Sequence, residues 1–141
     1  MIAQLITSFI ATAGFAILFN SPRRALVQCG LVGMLGWITY VMLLEHVNNI
    51  VATLLATLLI GVISQFFAKL YKMPVIIFSV AGIIPLVPGG LAYDSMRRFA
   101  QNDYNTAIHL GVQALLLSGA IALGLVLSEV LNQTLRNKNN N

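Results

Sequence analysis

The acid–base side chains of this sequence are four carboxylates and two histidines, and their spacing suits no catalytic constellation. Glu45, Asp94, Asp103 and Glu129 fall at the ends of hydrophobic stretches, His46 stands beside Glu45, and His109 has no ligand-type partner at a metal-binding interval. There is no HExxH, no GxSxG and no GKS/T phosphate loop. The lone Cys29 excludes an internal disulfide and a cysteine-based metal site. No enzyme activity, cofactor or metal is expected. What the chain offers instead is neutral hydrogen bonding, at Ser64, Gln65, Gln113 and His109, and one backbone anomaly. The run Ile84-Pro85-Leu86-Val87-Pro88-Gly89-Gly90 sets two prolines three residues apart, just ahead of a glycine pair. Each proline removes a backbone donor and clashes with the preceding turn, and the glycines permit positive φ. That run is expected to break a helix.

The elements around it follow from charge. Of the 141 residues, eight are Lys or Arg and four are Asp or Glu, against about 35 charged residues in a soluble domain of this length. Hydrophobic residues make up 58%, and mean hydropathy is +0.86. Met1–Pro22, Ala25–Leu44, Val47–Ala68, Met73–Tyr93 and Tyr104–Ser128 carry no charge and are 22, 20, 22, 21 and 25 residues long. Each can cross a hydrocarbon core about 30 Å thick, which takes about 20 helical residues. A soluble fold is ruled out, and so is an outer-membrane barrel, whose strands alternate in short runs. The fold class is all-α: a polytopic membrane protein of about five transmembrane helices, the fourth broken at its Pro/Gly motif.

The spans read as roughly Ile2–Phe19, Ala25–Leu44, Ile50–Phe67, Met73–Leu91 and Ala107–Leu127. The first stretch has no basic start and no polar continuation, so it reads as a span rather than a signal peptide. Residues 1–131 form a single transmembrane domain. The polar tail 132–141 is expected to fray, and Asp94–Asn105 reads as the long loop. The net charge of +4 and pI near 9.7 do not point to nucleic acid. The basic residues come as Arg23/Arg24, Lys69/Lys72, Arg97/Arg98 and Arg136/Lys138, the pattern of loops flanking membrane spans, so the lipid bilayer is the expected partner. Six of the eight share one side if all five stretches cross. That places the N-terminus outside and the C-terminus in the cytoplasm; a re-entrant fourth span would move the tail out. Small residues recur at spacing four as Ala114/Ser118/Ala122 and Ala120/Gly124/Ser128, as Ala3/Thr7/Ala11, and as Thr53/Thr57/Gly61. Such tracks let helices approach closely, within the chain or against a partner.

Two motifs carry a resemblance. Gly14-Phe15-Ala16-Ile17-Leu18-Phe19-Asn20-Ser21-Pro22-Arg23-Arg24-Ala25-Leu26, with Cys29 and Gly33, resembles the opening of the small subunit of the threonine/serine exporter family. Ile84-Pro85-Leu86-Val87-Pro88-Gly89, with Ala92-Tyr93 and Met96, is similar to that family's broken-helix signature. The resemblance implies export of small carboxylates: threonine and serine in fused proteins, succinate in two-subunit ones. It also implies a larger membrane subunit as partner and a bacterial cytoplasmic membrane as location. An odd span count would make the two halves an inverted-topology pair. Transporters of that build bind substrate where a helix is interrupted, on the free N–H groups and positive dipole of a half-helix. Pro85, Pro88, Gly89, Gly90 and Tyr93 are therefore the first candidates for substrate contact, with Gln65, Gln113 and His109 behind them. The alternatives are a membrane scaffold or assembly subunit that does not transport, and a small homo-oligomeric channel.

Overall fold

A computed structural model describes residues 1–141 as six helices and two single 3₁₀ turns: α1 Ile2–Leu18, a turn at Arg23–Ala25, α2 Leu26–Leu44, α3 Asn49–Tyr71, α4 Val75–Gly82, a turn at Ile84–Leu86, α5 Gly89–Ala100 and α6 Tyr104–Asn139. Local chemistry sets the ends. Asn48 accepts from the Val51 N–H at 2.9 Å to start α3, and Asp103 accepts from the Thr106 N–H to start α6. Helices α1, α3 and α5 stop at Asn20, Lys72 and Asn102, whose φ of 59°, 54° and 63° is left-handed. In each case the next N–H returns to the carbonyl five residues back, at Ala16, Ala68 and Arg98.

Helices α2, α3 and α6 are long and apolar enough to span a membrane, and the bent pair of Val75–Leu86 with Gly89–Ala100 would be a fourth span. Helix α1 is apolar, but its 17 residues reach only about 26 Å at 1.5 Å per residue. The expected five spans are thus approximate. The chain is all-helical with the fourth apolar segment broken, as the sequence predicts.

Glycines set the packing. A Cβ on Gly30 or Gly33 would strike Phe9 or Thr12 of α1, one on Gly36 would strike Ile60 of α3, and one on Gly82 would strike Val32 of α2. Phe78, Ile60, Val32, Cys29 and Ala16 fill the core between α1, α2, α3 and α4. Helix α6 lies along the far side of α3, parallel to it. A Cβ on Gly124 would come within 2.8 Å of the Leu54 carbonyl and Thr57, one on Gly61 would strike Ser128, and Lys69 reaches Asn132. One small-residue track of α6, Ala120/Gly124/Ser128, is therefore buried in this seam against Thr53, Thr57 and Gly61. The other is largely uncovered, since Ser118 and Ala122 are exposed and Gly119 has no neighbour within 4 Å. The Ala3/Thr7/Ala11 track is also exposed; α1 buries Ser8, Thr12 and Ala16 instead.

Two expectations are corrected. The tail does not fray: α6 continues to Asn139, with Thr134 and Gln133 bonding one turn back and Arg136 and Lys138 at the favourable C-terminal end of its dipole. Most of Asp94–Asn105 is helix rather than loop, because α5 runs to Ala100 and packs antiparallel on the first turns of α6 through a Ser95 Oγ–H to Ala107 carbonyl bond of 2.6 Å.

Candidate functional site

The chain is bent by 51° between the Val75–Leu86 segment and α5. The cause is local. Helix α4 ends at Gly82, Pro85 sits inside a 3₁₀ turn, Val87 is extended, and Pro88 is the N-cap of α5. Proline cannot cap with a side chain, so the first amides of α5 stay open. The Gly89 N–H turns back to Val87 at 2.8 Å, and the first bond of α5 proper runs from Ala92 to the Pro88 carbonyl. The Gly90 and Leu91 amides have no backbone partner. The glycine pair does not use the positive φ it permits; no glycine of the chain does. What the pair leaves is room, since a Cβ on either would meet nothing within 4 Å.

The room opens into a cavity of about 250 Å³ whose walls include Trp37 and Tyr40 of α2, Asn49 and Thr53 of α3, Pro85, Pro88, Gly90 and Leu117. No charged side chain lines it. The Tyr40 O–H donates to Asn49 Oδ1 at 2.6 Å, and Thr53 Oγ1–H donates to the Asn49 carbonyl at 2.8 Å. Across Pro85 and Trp37 lies a second cleft of about 250 Å³, with Gln4, Thr7 and Ser8 of α1; Gln4 Oε1 accepts from Trp37 Nε1–H at 3.2 Å. The break therefore has open amides on one side and hydroxyls and carboxamides around it. Such a place can hold a small anion by its carboxylate through amide donors and a helix dipole, and a neutral hydrogen-bonding tail through Asn49, Tyr40 and Thr53.

The sequence-predicted candidates divide. Pro85, Pro88 and Gly90 line the cavity, with Gly89 beside it at the helix start. Gln113 lines a neighbouring cavity of about 230 Å³ that shares Asn49 and Leu117 with the first, and His109 is one turn away, its Nε2 3.3 Å from Gln113 Nε2. Tyr93 is on the outer face of α5, 68% exposed, and does not line the cavity. Gln65 is at the opposite end of α3, bonded to the Ser128 carbonyl and to Glu129. Ser64 Oγ is buried without a partner. Sequence reasoning missed Trp37, Tyr40 and Asn49 and read Thr53 as packing only. An Asn49 at a helix start with aromatics at the preceding helix end was the available signal, visible only once α2, α3 and the break are brought together.

A bundle of apolar helices, with the fourth apolar segment broken, defines a polytopic membrane protein. Residues 4–131 match the family described as Threonine/Serine exporter, ThrE, and the chain belongs to that family of membrane transporters. A protein of Haemophilus influenzae (strain Rd), named only as uncharacterized, is 32% identical over 141 residues, covering 93% of this chain and 47% of its own length. The chain thus spans about half the length of that curated relative. No solved structure matches it.

Proposed function

We propose that this chain is one membrane subunit of a secondary exporter of threonine or serine, with the break between α4 and α5 as the carboxylate site. The observation that carries the reading is that Gly90 and Leu91, whose amides have no backbone partner, line a cavity with a neutral polar wall. A carboxylate accepts from those amides. The ammonium and hydroxyl of threonine find acceptors in Asn49 Oδ1, Tyr40 and Thr53. A dicarboxylate such as succinate suits the cavity less well, because no cationic side chain lines it to meet the second charge.

The chain acts with a larger membrane half, a reading supported by the relative's length and by the uncovered outer face of α6. It sits in the bacterial cytoplasmic membrane with Arg23, Lys69 and the C-terminus inside and Glu45 outside, as the distribution of basic residues favours. Export is driven by an ion gradient, there being no nucleotide-binding motif. The test is flux of labelled L-threonine in reconstituted vesicles. The expected result is transport with the larger half present and none with this chain alone. Transport by this chain alone would favour a homo-oligomeric channel, and none in either case would favour a scaffold.

A further inference from the structure

Helix α5 is amphipathic the wrong way round for a helix on the outside of a bundle. The stripe around Ser95 that it turns onto α6 is Leu91, Asp94, Ser95 and Arg98, half-buried at intervals of three and four, and three of the four are polar. Ser95 Oγ–H donates to the Ala107 carbonyl at 2.6 Å, Arg98 pairs with Asp103 at 3.9 Å, and Arg97 pairs with Asp94 at 3.6 Å. The polar groups of the α5–α6 hairpin thus satisfy one another. The opposite stripe of α5, Tyr93, Met96 and Phe99, is apolar and open, with Met96 70% exposed. Ile108 and Val112 of α6 are open as well, and no residue of α5 is buried.

The hairpin runs past the rest of the bundle. Asn48, Asn49 and Ile50 at the start of α3 wall one cavity with Gln113, Leu116 and Leu117 of α6. Because α6 is parallel to α3, its residues 104–112 lie beyond that level, about 14 Å of helix at 1.5 Å per residue. Helix α5 follows them outward, from Leu91 beside Leu117 to Ser95 at Ala107. At the level where the hairpin departs, the turn between α2 and α3 exposes Glu45, His46 and Asn48. Charged and polar side chains of that kind mark where the hydrocarbon ends. An apolar surface beyond it has no lipid tails to meet. Exposed apolar patches mark contact with other molecules, and Tyr, Phe and Met beside an arginine, here Arg97, are the types enriched at protein interfaces.

We infer that the open face of this hairpin, Tyr93, Met96 and Phe99 with Ile108 and Val112, docks the larger half of the exporter through an apolar surface at the outer end of that half. The relative from Haemophilus influenzae supplies the occupant: the match covers 47% of its length, so about half of that protein is chain with no counterpart here. Docking at this face ties the partner to α5, the helix whose first turn carries the Gly90 and Leu91 amides. The partner then fixes the angle at which that half-helix meets the substrate carboxylate. This gives a physical reason for transport to need both halves.

This docking rests on the two-half exporter reading, and the test separates the two. A photo-crosslinking phenylalanine analogue is placed at Met96 or at Ile108 in cells that make this chain and the larger half together, and their membranes are illuminated. The expected product at both positions is an adduct of the two halves. Adducts to lipid alone, or to a second copy of this chain, would overturn the inference. A second measurement needs no probe. Met96→Glu/Phe99→Glu should lower co-purification of the larger half about tenfold or more. This chain should keep its membrane level and its Tm in detergent, since neither side chain is packed in the fold. Unchanged co-purification in that variant would also overturn the inference. If the wild-type halves co-purify and carry threonine, yet neither position cross-links to the larger half, the face is wrong and the exporter reading stands. Adducts of the two halves without threonine flux would support the face and sink the exporter reading. Halves that never associate would remove both.

Discussion

In the helix seams, a Cβ on Gly33, Gly61 or Gly124 would run into Thr12, Ser128 or the Leu54 carbonyl; at the break, a Cβ on Gly89 or Gly90 would meet nothing within 4 Å. The same residue type thus serves two ends. In the seams glycine removes a side chain so that another helix can occupy the space, and the contact holds the fold. At the break the space stays empty, neither glycine has a positive φ, and two amides stay without a backbone partner. Burial distinguishes them as well: Gly33, Gly61 and Gly124 are buried, and no residue of α5 is. The seams hold the fold, and the proposed site is at the break.

That contrast is open to attack by mutation. The largest effect is expected at the seam, where Gly124→Val would force a branched side chain onto the Leu54 carbonyl and Thr57, 2.8 Å from the first added carbon. Overpacking of this kind costs about 1–3 kcal/mol or more, so the folded fraction in a denaturing-detergent titration should fall sharply and export with it. Next comes Pro88→Ala/Gly89→Ala. Alanine favours helix over glycine by about 1 kcal/mol and over proline by about 3 kcal/mol, so the helix should extend and recapture the open amides. Export should drop about tenfold or more while membrane level and detergent stability hold. Equal loss of stability in the two variants would erase the distinction.

A smaller effect is expected from Asn49→Leu, which keeps the volume but removes the acceptor that Tyr40 and the cavity share. The apparent KM for threonine should rise severalfold, about the worth of one hydrogen bond of 0.5–1.5 kcal/mol, with the maximal rate less affected. The smallest belongs to Tyr93→Phe, whose hydroxyl is outside the cavity on an exposed face. Export within about twofold of wild type is expected, and a larger loss would move the site along α5.

Much of this was legible in the sequence. Charge-free stretches of about 20 residues announced the membrane, and Pro85, Pro88 and Gly89 announced the break, because both depend on composition and backbone chemistry within a few residues. Relations between distant segments were not legible. That α3 and α6 run parallel, that Gly124 faces Thr57 while Gly119 faces nothing, and that Asn49 and Tyr40 close the cavity at Pro88 all depend on packing. The glycine pair was read for its freedom of φ, whereas it serves by lacking bulk. Gln65 was placed with the substrate candidates by its polarity alone; its partner, Glu129, is 64 residues on. The continuation of α6 through the Asn-rich tail was hidden because a low mean hydropathy says nothing of one-turn hydrogen bonds such as Thr134 to Val130.

The central claim, that substrate carboxylate is held at the start of α5, is tested most directly by the glycine amides themselves. Glycine-labelled (¹⁵N) protein, assembled with its membrane partner in lipid, would be titrated with L-threonine and its glycine amide resonances followed. The account predicts that Gly90 shifts with saturating threonine while Gly33, Gly61 and Gly124 stay in place, and that L-threoninol, which lacks the carboxylate, leaves Gly90 unmoved. An unmoved Gly90 under saturating threonine, with shifts at the seam glycines instead, would contradict it.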